Sequence, residues 1–107
     1  MKEEKDPHPP RDICERTFAF SLRIVKLVNA LPKGVAGSII ARQIMRAGSS
    51  IGANAEEARG SSSKREFAHR MSIALSEARE TLYWLRLVAE SGMLRKGRLD
   101  SLIQEAD

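Results

Sequence analysis

Arg46-Ala47-Gly48-Ser49-Ser50-Ile51-Gly52-Ala53-Asn54, followed further along by Glu77-Ala78-Arg79-Glu80-Thr81-Leu82-Tyr83-Trp84-Leu85, decides the architecture of this chain. The first segment sets Gly48 and Gly52 one turn apart, flanked by Ala41 and Met45. Each glycine inside a helix costs roughly 1 kcal/mol against alanine, so the pair predicts a close backbone contact that only glycine permits. The second segment spaces Glu77, Glu80 and Trp84 by three and four, on a stripe with Ile73 that lies away from the main core face. Neither segment contains a recognisable reaction centre. A phosphate-loop reading of Gly48 to Gly52 fails because no lysine follows and no strand precedes it.

Outward from these segments the chain resolves into helices. Around the glycines, a helix over about Val35 to Arg59 would face its core with Ile40, Ile44, Ala47, Ile51, Ala55 and Ala58. Ser63-Lys64-Arg65-Glu66 matches a capping box, with Ser63 accepting from the Glu66 amide and Glu66 reaching back to the Ser63 amide. A long helix therefore starts at Lys64, with Phe67, Met71, Ala74, Ala78, Leu82 and Leu85 inward, and stops at Gly92. From about Gly97, a short helical pattern puts Leu99, Leu102, Ile103 and Ala106 on one face. It is either naturally short or cut partway through.

Upstream, Asp12 is placed to cap a first helix running to about Leu31, where Pro32 and Gly34 stop it. Residues 1–11, ending around Pro7-His8-Pro9-Pro10, read as an extended tail, and 12–107 as the folded domain. The first helix carries two apolar stripes. Ile13, Thr17, Phe20, Ile24, Leu27 and Leu31 form one; Cys14, Phe18, Leu22, Val25 and Val28 form the other, and together they cover roughly 220°. Two explanations stand open: a central position in a bundle, or burial of the second stripe against another copy of the chain. Three long helices and one short one, joined by tight turns, predict an all-α, antiparallel up-down four-helix bundle.

Composition agrees with one aliphatic core. The chain has 107 residues, 42% of them hydrophobic but only 5% aromatic, which favours helices over sheets. Its first residues, Met1-Lys2-Glu3-Glu4-Lys5-Asp6, are charged and its apolar runs are short, so neither a signal peptide nor a membrane span is expected. Cys14, the single cysteine, falls on an apolar face and reads as a small buried hydrophobe, and a reducing, cytoplasmic setting follows by default.

The formal net charge is +4 and the pI about 9.6. That balance admits nucleic acid as a partner, although the basic residues are dispersed as on an ordinary solvated surface. The arginines expected on polar helix faces, and hence the candidate phosphate contacts, are Arg42, Arg46, Arg65, Arg70, Arg79 and Arg86.

Asn54 and Glu57 on the second helix, with Glu77 and Glu80 on the third, admit three readings. They are solvated or paired with arginines such as Arg46 and Arg79, or they form a buried cluster fixing register or contact between copies, which requires arginines in the same seam. The third reading, a carboxylate metal site, would need a second Glu-x-x-His beside Glu66 and His69, and there is none. Trp84 with Tyr83 reads as a packing or interface anchor, with base stacking as the alternative. Nothing at helical spacing orients His69 as a general base. No enzyme, cofactor, metal or small-molecule substrate is expected.

The run from Arg46 to Ala58, with Phe67, Met71-Ser72-Ile73-Ala74-Leu75-Ser76-Glu77-Ala78 and Glu80-Thr81-Leu82-Tyr83-Trp84-Leu85, resembles the four-helix bundle proteins encoded in 23S rRNA intervening sequences. The likeness extends from Phe18 to about Leu94 and includes Phe18-Ala19-Phe20 through Leu31-Pro32. The resemblance implies a left-handed up-down bundle that assembles as a ring-like homopentamer. It also implies a nucleic-acid role, since a similar bundle is a basic accessory protein in diversity-generating retroelements. Gly48, Gly52, Asn54, Glu57, Glu77, Glu80 and Trp84 carry over as packing, interface or signature positions without assigned chemistry. The expectation is thus a homo-oligomeric bundle whose assembled basic surface binds RNA or DNA; the alternative is an adaptor that engages another protein and no nucleic acid.

Overall fold

The computed structural model describes residues 9–94 and 96–106. Four helices account for nearly all of them: α1 (Pro9–Ala30), α2 (Val35–Arg59), α3 (Lys64–Ser91) and α4 (Lys96–Ala106). Each packs on its neighbour in the chain, and α4 also touches α1. The direction of two pairings follows from side-chain contacts. Along α1 and α2, Cys14 reaches Ala55 while Ile24 lies against Gly48, so one helix rises as the other falls. Arg70 meets Asn54 and Arg46 meets Glu77 across α2 and α3, and Arg23 meets Ser101 and Glu105 across α1 and α4. α1 and α2, and α2 and α3, therefore run antiparallel, in a body 49 × 28 × 18 Å.

The ends of these helices show what stops and starts them. Ser63 is extended and its Oγ accepts from the Glu66 amide at 3.0 Å. The returning carboxylate takes a different partner: Glu66 Oε1 accepts from the amide of Ser62 at 3.1 Å, so the box closes one residue earlier than expected. Gly92 ends α3 with φ 79°, a left-handed conformation that glycine adopts without steric cost.

α1 corrects the expectation for the N-terminus. It begins at Pro9, not after Asp12, which sits within the first turn. Proline is compatible there because a first-turn amide has no helical acceptor and the proline ring presets φ. The expected extended tail over residues 1–8 lies outside the described residues.

Phe20, Ile24, Leu27, Leu31, Ile40, Ile44, Ile51, Leu85, Val88, Leu99 and Leu102 meet in one core cluster. All six expected positions of α2 are buried. On α3 the inward face turns further than the expected stripe: Ala74, Thr81, Leu85 and Val88 are buried, while Phe67, Met71, Ala78 and Leu82 are only partly covered. Thr81 can sit there because its hydroxyl donates to the Glu77 carbonyl at 2.7 Å, which pairs that buried hydroxyl within its own helix. No helix of the described residues is long and apolar enough to cross a membrane.

Candidate functional site

The second stripe of α1 divides. Cys14 is buried and Val28 half-buried, because both lie toward α2. Between them Phe18, Leu22 and Val25 stand 64%, 51% and 39% exposed. A central position in the bundle is thereby excluded for this face. Beside it two hollows meet at Ser49 to make a groove along α2: Gly52, Ala53 and Glu56 lie next to Phe18 in one, and Ser38, Ala41, Arg42 and Arg46 next to Val28 in the other. Small side chains leave the groove open, and the α1 stripe forms its apolar bank.

The glycines behind this face do not act alike. A Cβ at Gly48 would come within 3.0 and 3.1 Å of Ile24 Cγ1 and Cγ2. The tight contact there is with a side chain, not with backbone as expected. At Gly52 the nearest atoms would be Thr17 Oγ1 at 3.3 Å, the Thr17 carbonyl oxygen at 3.4 Å and Ser21 Oγ at 3.5 Å, a looser fit that includes the backbone.

Along the flank of α2 that meets α3 the polar residues separate into two groups. Arg46 bonds Glu80 and lies 3.4 Å from Glu77, with Gln43 accepting from its Nε at 3.2 Å. Glu80 Oε2 also accepts from the Trp84 indole at 3.0 Å. Asn54 belongs to the second group: its amide donates to the Ser50 carbonyl at 2.9 Å, and its Oδ1 accepts from Arg70 at 3.4 Å. Glu57 is exposed and joins neither group. The single four-residue cluster is thus replaced by two half-exposed pairings, because Asn54 and Glu77 lie at different heights along the α2/α3 seam. Arginines in the seam meet the carboxylates, as an ion pair there requires.

The six arginines accordingly fall into distinct settings. Arg46 and Arg70 are drawn into the seam. Arg42 lies at the α1/α2 groove beside Val28 and Met45. Arg65, Arg79 and Arg86 are exposed along α3, spaced by multiples of seven and so on one stripe. Among the described residues these four have no carboxylate partner. The same side of α3 carries exposed Leu75, Tyr83 and Leu87. Periodicity had marked Trp84 of the aromatic pair, but Trp84 is half-buried against the core and Tyr83 is 61% exposed.

His69 is exposed, and Glu66 is engaged in the α3 cap. Among the described residues no group of three or more His, Cys, Asp or Glu is gathered to hold a metal. Burial pushes the Cys14 thiol above its ordinary value, and the nearby Glu56 carboxylate adds to that rise. Buried and donating to the Ala55 carbonyl, Cys14 serves as a packing group between α1 and α2.

A family model described as 23S rRNA-intervening sequence protein matches residues 11–107. A solved structure from Bacteroides thetaiotaomicron VPI-5482, a protein with unknown function from the S23 ribosomal protein family, is similar with a TM-score of 0.85. It is 31% identical and aligns over 92% of this chain and 88% of its own. No curated protein matches.

Proposed function

The chain belongs to the 23S rRNA-intervening sequence protein family, and from that footing we propose that it is a non-enzymatic bundle that self-associates through α1, as a homopentameric ring, and binds RNA or DNA through the basic surface of the assembly. The observation that carries this reading is the exposure of Phe18, Leu22 and Val25 beside the small-residue groove of α2. Contiguous apolar surface of this kind is costly in water and marks a contact site. A second copy suits it because the apolar bank lies side by side with a floor of small residues, with charge only at the ends, Glu56 at one and Arg42 and Arg46 at the other, so one protomer's stripe can enter the next one's groove. A heterologous contact of that type closes into a ring when the rotation permits.

Assembly also changes the electrostatics. One chain at +4 is a weak attractor, but five copies carry roughly +20, enough to draw a polyanion at ordinary salt. The family's tie to ribosomal RNA supports the nucleic-acid half of the proposal, and a cytoplasmic location goes with it.

Sedimentation of the purified chain at micromolar concentration tests the first half. The wild type is expected to run as an oligomer, and Phe18→Glu with Leu22→Glu to run as a helical monomer by circular dichroism. A wild-type monomer would end the ring and the pooled charge together. For the second half, RNA affinity should fall steeply with salt and weaken when Arg65, Arg79 and Arg86 become alanine; salt-independent binding, or none, would leave only an adaptor that engages protein.

A further inference from the structure

Tyr83 is exposed, yet its ring is held. It meets the Trp84 indole edge-to-face, with centroids 5.3 Å apart and planes at 77°. Trp84 is itself anchored, its Nε1 donating to Glu80 Oε2, and the same carboxylate is bound by Arg46 of α2. Order therefore passes from the α2/α3 seam, through Glu80 and Trp84, to an aromatic ring at the surface. One edge-to-face contact engages one side of the tyrosine, and at 61% exposure much of the rest of the ring faces water.

Two arginines flank the ring, while Glu90 stands one turn beyond Arg86 on the same side of α3. Arg79 stands four residues before Tyr83 and Arg86 three residues after, on the same side of α3. Neither has a carboxylate partner among the described residues, and Glu80 is turned to Arg46 and Trp84. The two positions are about 10 Å apart along the helix axis, which brackets one aromatic ring. Leu75 and Leu87 continue the stripe beyond them. A patch meant only for an apolar protein partner has no use for two uncompensated arginines astride its aromatic, whereas a base linked to phosphates on both sides uses all three groups.

We propose that Tyr83 is a stacking platform for an unpaired base of a single-stranded nucleic acid, with Arg79 and Arg86 holding the flanking phosphates. The proposal rests on the nucleic-acid reading above and refines it: duplex bases, already stacked on one another, cannot use the platform.

The test uses the full chain in its assembled form, as wild type, Tyr83→Phe and Tyr83→Ala, with oligouridylate, oligodeoxythymidylate and a duplex of matched length. Trp84 is the single tryptophan of the sequence, so its emission reports directly on the neighbouring ring. Affinity for both single strands is expected to survive Tyr83→Phe and to fall about ten-fold in Tyr83→Ala, as loss of one stacked base does. The salt slope should hold, because the phosphate contacts remain, and duplex affinity should not change. Wild-type Trp84 emission should shift on adding either single strand.

If single strands bind Tyr83→Ala as tightly as wild type and leave Trp84 emission unmoved, the platform is refuted while nucleic-acid binding stands. No binding of any probe by the wild type at low salt removes both. A change of sedimenting mass in Tyr83→Ala would assign the tyrosine to contact between copies, and that too overturns the platform.

Discussion

α2 is packed on both flanks, and the two flanks hold by different physics. Against α1 it offers glycine and alanine, and the approach is set by the side chain of Ile24 lying on Gly48. Against α3 it offers Arg46 and Asn54, and register is set by Glu77, Glu80 and Arg70. A steric seam tolerates no added atom where it is tightest, at Gly48, but needs no partner. A half-exposed polar seam tolerates rearrangement, since water can replace any one member. The first should therefore be stiff toward substitution and the second forgiving.

The largest effect that would break this contrast lies at Ile24. It is fully buried, so Ile24→Ala should destabilise the fold by about 2–5 kcal/mol, read from urea denaturation at fixed protein concentration. Gly48→Ala comes next. Overpacking against a side chain with no room to give costs about 1–3 kcal/mol, which outweighs the roughly 1 kcal/mol gained in helix propensity. In the Ile24→Ala background the same Gly48→Ala change should turn stabilising, because its obstacle is gone. Simple additivity of the two changes would show that the contact does not set the approach of the helices.

Arg46→Met should cost less, about 0.5–1 kcal/mol. Its side chain is 48% exposed and its partners Glu77 and Glu80 are 22% and 38% exposed, and ion pairs open to water contribute little. A loss of several kcal/mol would show that the polar seam is as unyielding as the steric one. The smallest effect is expected at Gly52, where Ala should fit and stabilise by a few tenths of a kcal/mol up to about 1 kcal/mol. Opposite signs at Gly48 and Gly52, two positions one turn apart, would sharpen the contrast further.

Periodicity made most of the fold legible. The buried face of α2 falls on the six expected residues, and the Ser63 cap and Gly92 stop bound α3 as its turn chemistry implies. What escaped depends on neighbours that a linear pattern does not name. Pro9 and Pro10 read as breakers, yet a first turn accepts both. Thr81 looks polar until its hydroxyl finds the Glu77 carbonyl. Gly37 was not singled out, although a Cβ there would collide with the Pro32 carbonyl oxygen; the signal was its closeness to the α1/α2 turn.

At the candidate surfaces, sequence marked α1's second stripe correctly as apolar surplus, because eleven apolar or small positions exceed what one partner covers. It did not separate Arg46 and Arg70 from the other four arginines. Helical spacing says which side of a helix a charge occupies, but not whether a carboxylate waits across the seam. For the same reason Trp84 drew attention that the exposure of Tyr83 merits.

α4 has 11 residues, below the length at which a helix persists alone in water. Its order is borrowed from the core that its own Leu99 and Leu102 enter and from Arg23 of α1 alongside. Its amides should accordingly trade protons for deuterium ahead of those in the three long helices. Each such excursion wets the cluster that Leu99 shares with Ile24, Leu85 and Val88, so the shortest element governs how long the interior stays dry.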